Sequence, residues 1–436
     1  MSTSTSSSAV TGASFVIGTD APMASVTSFS VQVSGIEAFT SNDCSGTGVA
    51  LLSGTPTVDF ARFNGLQTLL DMNDVDAGTY NCVSITLGPA TLGYLDTSAG
   101  GAPTIQTETA TLTTSTITAP LSSPMVVAQD AAPVGIHLDF DLRKSIQVDS
   151  NGQITGSVTP TFNVKAVNNT DPGAYIDEFD AAVVSVNAGA QSFVIQGPHG
   201  RQFTVNVNAQ TEWDGDATLS DLNSSSIVQI SGNLDRADAT IDADEVGILS
   251  DNGFYAAGLV TYVNPATGPA SSFDLYVRGT LPTGTGVTDG NIATVDLSGS
   301  EKYSIYWMHG PLAQYLFNQS GLIAGQHVAV GGPATGASNV SSVTVKRVML
   351  RAWGFNGTVV PNSVDAGTDS FQMQVNGFAG VLIPQTVTVY ITNECQFRDG
   401  FNSLGDVTNN VRVVGLLLKN SSGNPVIVGR YVDDLN

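Results

Sequence analysis

An all-β fold is predicted by three features of this sequence. Apolar and polar residues alternate with a period of two along nearly the whole chain. The helical period of 3.6 is almost absent. The surface must be covered mainly by Ser, Thr, Asn, Gln and Gly, because charged residues make up only 12% against 42% apolar. At 436 residues the chain exceeds what one hydrophobic core organises, so several domains are expected. The expected architecture is an N-terminal β-sandwich-like domain followed by three small β-barrel domains in tandem.

Residues 1–10 read as a flexible Ser/Thr-rich tether, without the basic and apolar regions of a signal peptide. Such a start resembles the stretch that follows the lipidated cysteine of a bacterial lipoprotein, the anchor being lost from this chain. The sandwich-like domain is assigned to residues 11–168. In SFSVQVSGIEAF, Phe29, Val31 and Val33 share one face, and Gly35 shifts the phase to Ile36 and Ala38, which calls for a bulge. Gly65–Leu70 is a candidate short helix. Asp71–Gly78, DMNDVDAG, reads as a turn, since its loose echo of a calcium loop lacks the bidentate Glu at the twelfth position. Cys44 and Cys82 lie in the same domain and either form a disulfide, as an oxidising compartment allows, or stand as two unpaired core residues. Cys395 has no partner and reads as buried. The turn-rich NNTDPGAY, Asn168–Tyr175, closes the domain.

Beyond it the chain repeats weakly three times, in 176–249, 250–350 and 351–436. Each unit has a strand, a turn, a Ser-Phe opening the next strand, a third strand, an irregular segment, a strand near a glycine and a last strand. Ser192-Phe193, Ser272-Phe273 and Ser370-Phe371 match, as do Gly232, Gly331 and Gly415. Five short strands are the scale of a small closed barrel, which hides its edges by curling round. The units are expected as beads on a string, either separate or packed against each other. Gly310–Gln319 is a second candidate helix.

Four motifs in order, GTDAP (Gly18–Pro22), VDF (Val58–Phe60), AGTYNCVSITLG (Ala77–Gly88) and HLDFDLRKSI followed by TPTFNV, resemble a bacterial cell-surface family termed domain of unknown function 4382, over Thr11–Val167. The three later units are similar to a second family of small β-domains, domain of unknown function 5666. The resemblance implies an exported, often lipid-anchored β-protein of Gram-negative bacteria and implies no activity.

Chemistry is thinly signalled. In GIHLDFDLRKSI, Gly135–Ile146, Ile136, Leu138, Phe140 and Leu142 alternate with His137, Asp139, Asp141 and Arg143, so the aspartates fall on the solvent side of a strand, with Arg143 offsetting one. The sharper alternative has Asp20, Asp139 and Asp141 holding calcium. Lys144 interrupts the apolar face and is placed to reach a carbonyl or carboxylate. Asp242–Glu245, DADE, reads as a solvated edge. In YSIYWM, Tyr306 and Trp307 are candidates for stacking on a ligand, against the alternative of core packing. The four histidines are scattered, and no nucleophile-elbow or phosphate-loop motif occurs.

The formal charge of -23 repels phosphate backbones and anionic headgroups, which excludes nucleic acid as an expected partner, and no apolar run is long enough to span a membrane. The expectation is a non-enzymatic, exported protein, extracellular or on the outer surface of a Gram-negative cell, acting as a structural, adhesive or assembly module. Its partner would be a second copy or an extracellular polymer. The alternatives are an extracellular carbohydrate-binding protein and a secreted hydrolase with dispersed carboxylates.

Overall fold

The computed structural model describes residues 11–21, 26–63, 66–96, 104–129, 131, 133–151, 153–168, 175–196, 202–214, 217–235, 240–251, 253–282, 286–306, 317–333, 340–383 and 386–435. The protein is all-β, as its period-two patterning requires. The tether 1–10 and most of the segment Gly310–Gln319 lie outside the described residues.

The N-terminal region is a sandwich. Its smaller sheet orders Phe162–Val167, Val134–Asp141, Thr11–Ala21 and Thr68–Asp76, and its larger sheet is built on the long strands Val26–Phe39 and Gly78–Asp96. Val16, Ile136, Leu138 and Phe140 from the first meet Phe29, Val31, Val33, Val83 and Ile85 from the second in one core. The bulge at Gly35 is present, where the pairing of Val26–Phe39 with Gly78–Asp96 slips between Val33 and Gly35. Cys44 and Cys82 are joined in a disulfide.

Two local expectations fail here. Thr68–Leu70 are strand rather than helix, and the strand continues to Asp76 through the stretch read as a turn. Asp71 is fully buried within it, its carboxylate accepting from the Ser53 hydroxyl at 2.6 Å and the Met72 N–H at 2.8 Å. A buried carboxylate satisfied by three donors can sit in a strand, and hydropathy alone does not distinguish it from a turn aspartate.

The next three units share one strand plan. In the first, Tyr175–Asn187 pairs with Ser192–Gln196 and Ile227–Asp235, the latter pairs with Thr240–Ser250, and a parallel contact between Gln202–Asn206 and Thr240–Ser250 closes the ring. The third unit is a closed barrel of the same order, from Trp353–Val359 to Pro425–Asp434, again with a parallel closing pair. The second repeats the plan with its last strand interrupted between Ser342–Thr344 and Arg347–Arg351. Ser192, Ser272 and Ser370 each begin a strand, and Phe193, Phe273 and Phe371 behind them are buried. Gly232 and Gly415 lie at register shifts where a Cβ would meet a carbonyl across the pair at 2.2 Å. Asp242–Glu245 is no edge, because Thr240–Ser250 is paired on both sides and Glu245 is buried.

The units are packed against each other. The smaller sandwich sheet is covered on its second face by the first barrel, where Phe15, Ile17, Leu69 and Met72 join Ile176, Phe179 and Ile230. Ile227 and Leu249 of the first barrel meet Tyr255, Ala257, Tyr306 and Met349 of the second. The outer face of the third barrel, with Val414, Leu416 and Val428, continues the core of the second.

Candidate functional site

The junction of these units is organised by one short stretch, Asp177-Glu178-Phe179-Asp180 at the start of the first barrel. Alternation breaks down there, with Ile176 through Phe179 all buried. The cause is a bulge between Ile176 and Phe179, at which the N–H groups of Asp177 and Glu178 both donate to the Gln67 carbonyl, at 3.0 and 3.2 Å. Two consecutive acidic side chains thereby enter the interior, and each finds cations or donors on a different unit.

Asp177 accepts from the Tyr431 hydroxyl of the third barrel at 2.8 Å and from the Gln67 N–H of the sandwich at 3.0 Å. Glu178 is bonded to Arg351 of the second barrel. Asp180 accepts from Arg62 of the sandwich at 3.1 Å, from Arg351 at 3.3 Å and from the Tyr255 hydroxyl at 2.5 Å. Burial raises the Glu178 carboxyl above its ordinary value, with Arg351 opposing. Burial works against the Arg351 cation, but Asp180, Glu178 and Tyr255 around it hold it well above the usual arginine value. Nearby, Arg278 donates to the Thr27 and Ala61 carbonyls and lies 4.3 Å from the centre of the Trp353 ring, so it touches the sandwich and the third barrel at once.

Beside this cluster lies a cavity of about 570 Å³ between the sandwich and the first two barrels. Asp59, Arg62, Asp180, Tyr255, Arg278 and Asp289 supply its polar groups, Thr57, Thr68 and Thr91 its hydroxyls, and Phe63, Leu70 and Leu281 part of its apolar wall. Asp59 accepts from the Phe29 N–H at 2.8 Å, and burial lifts its carboxyl above the ordinary value against the pull of Arg278 and Arg62. The Oδ1 atom of Asp180 is buried and has no hydrogen-bond partner among the described residues. Arg62 makes one hydrogen bond among them, to Asp180, and its side chain remains 31% exposed.

The residues singled out from sequence lie elsewhere. Asp141 is the last residue of the strand, which does not continue through Leu142 and Arg143. It caps the helical turn Leu142–Ser145, accepting from the Lys144 N–H at 3.0 Å, and it pairs with the Lys144 ammonium at 2.6 Å. Lys144, rather than Arg143, therefore offsets a carboxylate, while Arg143 donates to the Leu435 carbonyl of the third barrel at 3.0 Å. Asp141 is buried and Asp139 half-buried, so neither stands on a fully wet face. Burial and the neighbouring Asp141 raise the Asp139 carboxyl, against Arg412 of the third barrel. The strand register sets Asp20 opposite Phe140, not opposite either aspartate, and its side chain lies outside the described residues. Among the described residues no three His, Cys, Asp or Glu side chains assemble into a metal site, and the Asp20 side chain of the expected calcium set with Asp139 and Asp141 lies outside them.

Tyr306 is not a stacking platform. It points away from its own barrel, as alternation predicts, but the first barrel covers that face, leaving it 2% exposed with its hydroxyl 2.7 Å from Ser231 Oγ. Trp307 lies outside the described residues. Cys395 is half-buried and unpaired, its thiol pushed up to about 12 by burial and Asp433. The acidic junction was missed in the sequence, though a signal was there: three acids within six strand residues, on both faces, are unusual unless partnered.

Comparison with known families agrees with the N-terminal part of this picture. Residues 14–155 match the model of a family described as domain of unknown function, DUF4382. The DUF4382 match spans about a third of the chain and includes Asp59, Arg62 and the disulfide. No curated protein matches the chain. No helix among the described residues is long and apolar enough to cross a membrane.

Proposed function

We propose that this chain is a non-enzymatic, exported binding module of the outer surface of a Gram-negative bacterium, with residues 1–10 as its tether and a lipid anchor ahead of them. The observation that carries the reading is the junction. Four β units are held round one buried acidic stretch, and the polar cavity beside it is walled by more than one of them. A site of this kind is rigid by construction, which suits recognition. The Cys44–Cys82 disulfide supports an oxidising compartment, and the charge of -23 supports a soluble surface outside the cell. The shared strand plan of the three barrels supports their kinship with one another.

A partner other than a second copy is favoured by one edge of the sandwich. Thr116–Val127 pairs only with Gly78–Asp96 among the described strands. Its outer edge is blunted, because Pro120 and Pro124 have no N–H to offer and Asn168 bonds the Val126 N–H and the Pro124 carbonyl.

The test is protease treatment of intact cells that produce the native gene product. Loss of the protein while a cytoplasmic marker survives is expected. Protection from the protease until the cells are broken contradicts surface exposure.

A further inference from the structure

We infer that the cavity between the sandwich and the first two barrels binds a neutral polyhydroxylated ligand, a mono- or disaccharide or the end of a neutral glycan. This rests on the reading of the chain as a binding module and names what the module takes. The volume of about 570 Å³ is in the range of small-ligand sites, roughly 300–1,000 Å³.

The wall offers donors and acceptors side by side. Arg62 reaches the cavity with N–H groups that no described residue accepts, and Asp289 supplies a carboxylate to the same cavity. A sugar hydroxyl both donates and accepts, so adjacent hydroxyls on one ring can satisfy the aspartate and the guanidinium together. Thr57, Thr68 and Thr91 extend the polar wall, while Phe63 and Leu70 give the ring's C–H face an apolar surface.

Charge selects the class. An anion entering the cavity meets Asp59, Asp180 and Asp289 on a chain of net charge -23. A cation is drawn by the same charge but meets Arg62 and Arg278, which already offset Asp180 and Asp59. A neutral polyol meets neither opposition and uses both sets of groups.

The test begins with the full chain on an array of neutral mono-, di- and trisaccharides, their uronic-acid and sialylated counterparts, and a set of polyamines. The best neutral sugar is then titrated calorimetrically into wild type, Thr57→Trp, Thr91→Trp and Tyr262→Ala. Thr57 and Thr91 are exposed at the cavity and Tyr262 is exposed outside it. The expected result is one site per chain for a neutral sugar, at least tenfold weaker binding in each tryptophan variant with an unchanged melting temperature, and undiminished binding in Tyr262→Ala. Preference for the acidic sugars or polyamines overturns the assigned class. Full affinity in both tryptophan variants overturns the assigned site. A blank array overturns the inference while leaving the surface-exposure result untouched. Release of smaller sugars during the titration overturns the non-enzymatic reading itself.

Discussion

Tyr431 donates its hydroxyl to Asp177 across 2.8 Å, joining residues 254 positions apart in the chain. Asp177 also accepts from the Gln67 N–H, so one carboxylate is shared by the sandwich, the first barrel and the last strand of the molecule. Its neighbours Glu178 and Asp180 extend the same contact to Arg351 and Tyr255 of the second barrel.

Removing one partner of this cluster leaves buried charge unmatched, which is the expensive way to break an ion pair. Arg351→Met should lower stability by about 3–5 kcal/mol, since Glu178 then loses its paired cation and faces Asp180, which keeps Arg62. Adding Glu178→Leu should recover much of the loss. Urea unfolding of both variants checks this, and a loss under 1 kcal/mol in Arg351→Met contradicts it.

The Cys44–Cys82 bond closes a loop with a sequence separation of 38. Constraint of the unfolded chain by a loop of that length contributes about 4 kcal/mol in the chain-entropy picture. A Cys44→Ala, Cys82→Ala variant should unfold at markedly lower urea concentration. Unfolded, unreduced wild type should titrate a single thiol, that of Cys395.

Acid should weaken the fold through two imidazoles. Burial, with Lys165, holds His137 down at about 4, and burial with Arg351 and Arg278 holds His327 well below its ordinary value. Both rings take a proton in the unfolded chain as pH falls through about 6.5. The unfolded state then binds more protons, so stability falls as pH drops below that point, by up to about 1.4 kcal/mol per pH unit for each ring. The His137 contribution ends near pH 4, where the folded ring charges too. His137→Gln and His327→Gln should each flatten the stability profile between pH 6.5 and 4.5, whereas slopes equal to wild type would show that the rings are already charged in the fold.

Asp141 tests the account of the GIHLDFDLRKSI aspartates. Asp141→Ala removes the cap of the turn Leu142–Ser145 and should lower stability by about 1–2 kcal/mol, while Asp141→Asn keeps an accepting oxygen and should cost less. Calcium should not raise the melting temperature through this residue, because its carboxylate is already bonded to the Lys144 backbone and ammonium.

Much of the fold was legible because burial in sheets alternates locally. The Ser-Phe landmarks open strands, Gly35 marks a slip in register, and Gly232 and Gly415 sit where backbones approach too closely for a Cβ. The site was not legible, since it is made by contacts between distant segments. Tyr306 shows the reason: alternation correctly turns it away from its own barrel, but nothing local says that another barrel covers that face. Asp71 and Glu245 mislead in the same way, as acidic residues that look wet until their buried donors or neighbouring strands are seen. Asp177 and Glu178 enter the interior together only because a bulge interrupts the pleat.

Differential scanning calorimetry of wild type beside Asp177→Ala probes the shared junction most directly. Clamped units should melt in one cooperative transition, and loss of the Asp177 carboxylate should split off an earlier transition belonging to the third barrel. Several independent transitions in wild type, unmoved by the substitution, would mean that the units fold as separate bodies and that no common site lies between them.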